Sequence, residues 1–295
     1  MGLLNPIKSL IPTPIKTFAT LALRGDRRLT AFMRVLPNCI MPGAPRSGTT
    51  SLYRYLSQHP RIVFSIEKEP RFFTNQFYKG MVWYRSLFPT IFRRWQMRLA
   101  YGQAPIIAEA TTHYLFEPPA APRLAEYIPD PRFIILLRDP VDRTYSGYHN
   151  RVKYGQERLS FEEVVSMELD VISGQPEEWF VDGEFFGHYE EPPFLYLTQS
   201  LYVYQLQRLA RYFARERMLI LKSEEFFSDP LAALRQIVAF LGLPMWEPWE
   251  DMAFEIHNRN YYTEMGGEMR ARLADFFAPH NRRLYDWLGA DLGWE

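Results

Sequence analysis

One stretch near the front of this chain restricts its fold more than any other. A short apolar run at 38–41 passes directly into Pro42-Gly43-Ala44-Pro45-Arg46-Ser47-Gly48-Thr49-Thr50, after which Leu52, Tyr53 and Leu56 recur at helical spacing. In order, these are a strand, a glycine loop and a helix. The first N–H groups of a helix have no partner within it and point outward, so a glycine loop placed there can wrap its backbone around a phosphate. Gly43 and Gly48 permit the close approach, Arg46 supplies a cation inside the loop, and Ser47, Thr49 and Thr50 supply hydroxyls.

The spacing is that of a P-loop, GxxxxGK[ST], with Thr49 standing where a nucleotide triphosphatase needs the lysine that reaches its β- and γ-phosphates. The loop therefore suits a 5′-phosphate that carries a charged leaving group, and the missing lysine counts against a nucleotide kinase. Alone, a glycine turn ahead of a helix is common and also compatible with a structural role.

A second segment decides between these readings. Phe133-Ile134-Ile135-Leu136-Leu137 reads as a fully buried strand and ends in Arg138-Asp139-Pro140. Pro140 then opens a helix that carries Arg143 and Ser146. Ligands of open α/β sheets bind outside the carboxyl ends of the strands, so Arg138 brings a fixed cation to that rim and Ser146 can donate to the same anion. Two anion sites match a nucleotide phosphorylated at both its 5′ and 3′ positions. The intact pair also counts against a protein that keeps the fold only to bind nucleotide or scaffold partners.

From residue 38 onward, short apolar runs alternate with amphipathic stretches. The expected fold class is α/β: a P-loop-like three-layer fold with a central, mainly parallel sheet flanked by helices. With 295 residues and 47% hydrophobic content, one domain is the default, taken as 38–295 after a basic amphipathic extension at 1–37. The extension interleaves Lys8, Lys16, Arg24, Arg27, Arg28 and Arg34 with Leu, Ile and Phe, against the single acid Asp26. It reads either as a solvated arm packed on the domain or as an interfacial helix giving peripheral membrane contact through residues 1–36. Pro12, Pro14 and the charges keep it short of the roughly 18 to 20 uninterrupted apolar residues of a membrane span.

The loop Gly43-Ala44-Pro45-Arg46-Ser47-Gly48-Thr49-Thr50 resembles the 5′-phosphosulfate loop of sulfotransferases. Arg138-Asp139-Pro140-Val141-Asp142-Arg143-Thr144-Tyr145-Ser146-Gly147-Tyr148 resembles their 3′-phosphate motif. The likeness runs over almost the whole chain after residue 38. It is closest in pattern to the heparan sulfate glucosaminyl N- and 3-O-sulfotransferases and their bacterial relatives. The resemblance implies a sulfotransferase that uses 3′-phosphoadenosine 5′-phosphosulfate (PAPS) as donor, releases 3′-phosphoadenosine 5′-phosphate (PAP) and needs no metal. Transfer would be direct and in line, to a hydroxyl, or less readily an amine, of a carbohydrate, lipid-linked or small-molecule acceptor.

Glu67-Lys68-Glu69-Pro70-Arg71-Phe72-Phe73 is similar to the family segment that holds the catalytic glutamate, which by position is Glu69. A carboxylate near the donor sulfur can take the proton of an attacking hydroxyl. The other reading of Glu69 is a surface carboxylate in a Glu-Lys-Glu charge run. Residues 107–114 are similar to a substrate-cleft strand and loop, and 231–243, with Asp229-Pro230 ahead, to a late family helix. The resemblance implies donor contacts from Arg46, Ser47, Gly48, Thr49, Thr50, Arg138 and Ser146, with Tyr262 facing the adenine. Arg46 and Lys68 are the cations available to the leaving phosphate, Lys68 pointing there or into solvent. The pattern departs from the glucosaminyl enzymes at Thr74, where they often have an acid, and at Ala110, where they have a lysine. It departs again at Thr263-Glu264-Met265-Gly266-Gly267-Glu268-Met269-Arg270, which replaces a basic Lys-Gly-Arg segment and only ends in a cation.

Other classes find less support. Thirty-four basic residues balance 34 acidic ones, so no overall basic field points to nucleic acid. Six scattered histidines share no ligand spacing with one another or with Cys39, which argues against a metal. The lone Cys39 rules out an internal disulfide and, with no secretory signal pattern, fits a reducing cytoplasm. His113, beside the expected cleft, is either an alternative base, with an ordinary pKa of about 6.5, or a packed histidine. Aromatic residues crowd 72–101 and 179–204, where they either fill the core or line an acceptor cleft. Asp182, Glu184, Glu190 and Glu191 are contacts for a cationic or polar acceptor, or a solvated loop.

Overall fold

Five short apolar runs form one parallel sheet. They are β1 (Cys39–Gly43), β2 (Ile62–Phe64), β3 (Ile106–Ala110), β4 (Arg132–Leu137) and β5 (Met218–Lys222), in the order β2-β3-β1-β4-β5. The computed structural model describes residues 27–184, 195–255 and 262–294. Parallel neighbours cannot be joined by tight hairpins, so every connection carries helix. Helix α1 (Thr49–Leu56) links β1 to β2. Helices α2 (Gly80–Ser86) and α3 (Ile91–Tyr101) link β2 to β3, and α4 (Ala120–Tyr127) links β3 to β4. Between β4 and β5 run α5 (Pro140–Lys153), α6 (Phe161–Ile172), α7 (Glu177–Asp182) and α8 (Tyr202–Ala210). Helices α9 (Ser223–Ser228), α10 (Pro230–Leu241) and α11 (Gly267–Leu288) follow β5. The fold class expected from the sequence is the one found, with β1 running two residues past the apolar run at 38–41.

Alternation along the strands builds a core on each face. Ile40, Ile107, Phe133 and Ile135 meet Tyr84, Leu124, Leu206 and Phe277 from α2, α4, α8 and α11. Cys39, Met41, Ala108, Ile134 and Leu136 meet Leu52, Leu234 and Ile237 from α1 and α10 on the other face. Burial pushes the Cys39 thiol up to about 12. The aromatic stretches belong mostly to these cores. Phe72 stacks on Tyr84 at 4.5 Å, and Phe73, Phe88, Trp179, Phe180, Tyr202 and Tyr204 are buried. Packing large rings against the sheet removes more apolar area from water than lining an open cleft would, and it displaces the cleft reading of those residues.

Several helix starts follow from local chemistry. Asp139 caps α5 by accepting from the Asp142 N–H at 2.9 Å, with Pro140 at the first helical position. Ser160 and Glu163 form a reciprocal capping box on α6. Asp229 and Pro230 repeat the first arrangement on α10, which ends at Gly242 in the left-handed region.

The described part of the basic extension packs on the body. Ala31 is buried, Arg27 donates to the carbonyls of Ser86 and Phe88, and Arg34 donates to Phe88 at 2.7 Å. Residues 1–26 lie outside the described residues. Among the described residues no helix is long and apolar enough to cross a membrane.

Topology also locates the crevice. From β1 the chain builds β2 and β3 on one side, then passes back across to build β4 and β5 on the other. Such a switch point opens a cleft at the carboxyl end of the strand where the direction reverses, and here that strand is β1 with its glycine loop.

Candidate active site

Four chain segments meet at this switch point: the loop after β1, the segment leaving β2, the turn after β3 and the β4–α5 junction. Gly43 closes β1 so tightly against the turn after β3 that a Cβ there would stand 3.0 Å from the Thr112 carbonyl and from Leu115 Cβ. Gly48 precedes α1 at φ 91°, and a Cβ on it would meet the Phe227 ring at 2.6 Å. No side chain caps α1. Among the described residues no protein acceptor takes the backbone N–H groups of residues 46–50. Ser47 Oγ is buried without a hydrogen-bond partner inside the same loop. An anion accepting from these donors would satisfy both the helix start and the buried hydroxyl.

Arg46 adopts φ 71°, and its side chain leaves the loop for α5. Its Nε donates to Ser146 Oγ at 3.2 Å and its terminal nitrogen to Asn150 Oδ1 at 3.1 Å. Arg46 thus joins the loop to the surroundings of Arg138 and Ser146. Burial pulls its guanidinium below the ordinary arginine range, and Arg138 adds to that pull. Arg138 in turn donates to the Arg46 carbonyl at 3.3 Å and faces Asp142 at 3.8 Å. Beside it lies a cavity of about 400 Å³ lined by Arg138, Asp142, Tyr145, Tyr262, Thr263 and Arg270. Tyr262 stacks flat on His149 at 4.4 Å and meets Tyr145 edge-on, leaving an aromatic wall for a flat base.

Across the loop from this cavity, the chain leaving β2 keeps hydrogen-bonding alongside β3. Ser65 donates to the Ala108 carbonyl and Glu69 to that of Ala110, both at 3.0 Å. Glu69 and Arg71 sit in the left-handed region, at φ 56° and 51°. Left-handed non-glycine residues are costly and concentrate where surrounding contacts over-determine them. The Glu69 carboxylate accepts from the Thr112 N–H and from Thr112 Oγ1, each at 3.1 Å. Lys68 Nζ donates to Thr50 Oγ1 at 3.0 Å, so the lysine points at the start of α1 and not into solvent. Burial pulls the Lys68 ammonium below its usual value while Glu69 pulls it back up.

His113 lies on the same turn with Nδ1 buried and unpartnered. Burial, with Arg71 and Arg143 adding to it, pushes the imidazole down to about 3, which makes it a weak proton acceptor. Of the acidic cluster noted at 182–191, Asp182 pairs with Arg211, while Glu190 and Glu191 lie outside the described residues. Among the described residues no group of three or more His, Cys, Asp or Glu side chains could hold a metal.

Behind the cleft stands a support in which Arg143, named from the sequence only as part of the helix after Pro140, takes a role its position did not reveal. Arg143, fully buried, donates from Nε to the Pro45 carbonyl at 3.2 Å. Its remaining nitrogens hold the Tyr196 carbonyl at 2.8 Å, Ser200 Oγ at 3.2 Å and the Gln199 side chain. Glu168 grips the same 196–200 segment through the N–H groups of Leu197 and Thr198, each at 2.8 Å. Glu109, at the end of β3, accepts from Tyr84 and from Thr111 Oγ1 at 2.7 Å. Burial raises both carboxyls to about 7 against hydrogen bonds that pull them back. Asn150 was overlooked, while Thr112 and Arg270 were noted only as members of the 107–114 and 263–270 segments, without a role of their own.

Residues 37–248 match a family model described as the sulfotransferase family. The crystal structure of a sulfotransferase from Alicyclobacillus acidocaldarius is 32% identical and covers 88% of this chain and 98% of that one, with a TM-score of 0.64. Mouse heparan sulfate glucosamine 3-O-sulfotransferase 3B1 is 27% identical over 96% of this chain and 69% of its own length. A membrane-associated sulfotransferase of Dictyostelium discoideum is 26% identical over 88% of this chain and 67% of its own length.

Proposed function

Because this chain belongs to the sulfotransferase family, enzymes that transfer sulfate, we propose that it moves a sulfuryl group from PAPS to a hydroxyl of a carbohydrate acceptor. The observation that carries this reading is the joint placement of Glu69 and Lys68. Thr112 orients the Glu69 carboxylate, and the neighbouring Lys68 reaches Thr50 at the helix start that would hold the 5′-phosphosulfate. A base beside the attacking oxygen and a cation beside the departing one are what in-line transfer requires.

In the proposed reaction the acceptor oxygen attacks sulfur, and the bond from sulfur to the bridging phosphate oxygen breaks. Glu69 takes the hydroxyl proton as that bond forms. The charge gathering on the phosphate is met by Lys68 and by the N–H groups of residues 46–50. Arg46 bridges to Ser146, and Arg138 stands beside it, so a 3′-phosphate would find both guanidiniums and a hydroxyl. The adenine would lie against Tyr262. A carbohydrate hydroxyl is favoured as acceptor because a relative of 27% identity over 96% of the chain is named for 3-O-sulfation of a glucosamine.

The test combines calorimetric titration with turnover. Wild type should bind PAP tightly and ATP weakly, and Arg138→Ala should lose PAP affinity by tenfold or more. Glu69→Gln should keep PAP affinity while turnover on an oligosaccharide acceptor falls by a factor of about 100 or more. A preference for ATP would overturn the donor, and undiminished turnover in Glu69→Gln would overturn the base.

A further inference from the structure

Helix α3 is turned the wrong way round for a helix of a globular domain. Between Ile91 and Tyr101 only Met97 is buried, while Ile91, Phe92, Trp95 and Leu99 are each more than half exposed. At about 100° per residue, Ile91, Trp95 and Leu99 fall within roughly 80° of one another, with Phe92 just beyond and Met97 on the opposite side. The helix therefore presents an apolar stripe straight outward. Thr90 caps it, accepting from the Arg93 N–H at 3.2 Å, and Gly102 ends it in the left-handed region, so it is a finished element. Phe92 and Trp95 stack on each other at 5.9 Å in the open.

Charge says what covers the stripe. Arg94 and Arg98 flank it on one side while Arg93 lies towards Met97, and none of the three makes an ion pair among the described residues. No acidic residue occurs anywhere from 70 to 108. Residues 1–108 carry sixteen Lys and Arg against Asp26, Glu67 and Glu69, whereas 109–295 carry eighteen against 31 acids. The chain's zero net charge thus hides a strongly basic front third. The basic segment that enters at Arg27 reaches the same place. Arg34 bridges to Thr90, Val35 donates to the Pro89 carbonyl, and exposed Leu29 and Phe32 stand beside that junction.

We propose that this face, made of α3 with residues 27–34, docks on an anionic lipid surface. Aromatic and aliphatic side chains flanked by arginines are the composition of an interfacial helix, with the apolar edge entering the acyl boundary and the guanidiniums meeting lipid phosphates. A second copy of the chain would set arginines against arginines.

The proposal is tested by vesicle flotation of the full chain with phosphatidylcholine alone and with about 30% phosphatidylserine, at about 0.15 M salt. Wild type should float with the anionic vesicles at least tenfold more than with neutral ones. Phe92→Gln with Trp95→Gln should cut that by tenfold or more, and Arg94→Gln with Arg98→Gln should remove the anionic preference. Both pairs are exposed, so urea midpoints should stay at the wild-type value, and the arginine pair keeps the test decisive if the apolar pair folds poorly. Absence of flotation overturns the proposal. So does flotation that survives both pairs of substitutions, which would assign the contact to residues 1–26. A wild-type dimer in light scattering that becomes monomeric in the Phe92/Trp95 variant also overturns it, in favour of a second copy.

Discussion

Replacing Gly48 with alanine isolates what the loop backbone contributes. The residue sits at φ 91°, a conformation that costs an L-residue about 1–2 kcal/mol. Its new Cβ would also stand 2.6 and 2.8 Å from two Phe227 ring atoms and 3.4 Å from Leu136 Cδ2. Forcing a methyl into packed space typically costs about 1–3 kcal/mol, so urea unfolding should show a total loss of about 2–5 kcal/mol. Gly48 immediately precedes α1, so relief of the clash and strain through the backbone would shift the N–H groups of Thr49 and Thr50, and PAP affinity measured by calorimetry should fall tenfold or more. Phe227→Ala removes the ring that the methyl meets but leaves the backbone strain. In the double variant, about 1–3 kcal/mol of the summed single losses should therefore disappear. A Gly48→Ala protein within about 0.5 kcal/mol of wild type that binds PAP normally would refute the reasoning, and strict additivity with Phe227→Ala would refute the clash.

Arg143→Met should destabilise the fold by about 3–5 kcal/mol in urea and weaken PAP binding, because it leaves the Pro45 carbonyl without its donor and releases the 196–200 segment. A loss under about 1 kcal/mol would show that the loop holds itself. Glu109 and Glu168 are raised to about 7 from an ordinary 4.5, so the native state holds their protons more tightly than the unfolded chain does. Their contribution is full below about pH 4.5 and is lost as pH rises through about 7. Unfolding free energies followed from about pH 5 to 8 should decline, and Glu109→Gln should flatten part of that decline; an unchanged slope would remove Glu109 from the account.

Much of the fold was legible because its signals are contiguous. The run at 133–137 is apolar without interruption, which suits a strand covered on both faces, and Asp139-Pro140 and Asp229-Pro230 are each a cap followed by the residue that fits a first helical turn. The glycine loop was legible for the same reason, since the eight consecutive residues from Gly43 to Thr50 and a following helix make one object. Lys68 was open between solvent and the leaving group because its partner Thr50 is 18 positions away. Aromatic residues were ambiguous because a ring that fills a core and one that lines a cleft have the same sequence.

Local pattern was enough for the loop, the strand that ends in Arg138 and the helix with Ser146, while Glu69 stood between a base and a surface carboxylate. How these parts meet was settled by the tertiary fold. Arg46 reaches Ser146 across 100 positions, Thr112 orients Glu69 across 43, and Arg143 steadies Pro45 across 98. It also decided that α3 faces outward, since periodicity gives an apolar stripe but not the side on which the body lies. Hydrogen bonds and packing between segments depend on which strands become neighbours, and β1 lies between β3 and β4 because the connections cross the sheet in both directions. No local pattern carries that order, so the chemistry of each residue was readable before its partner was.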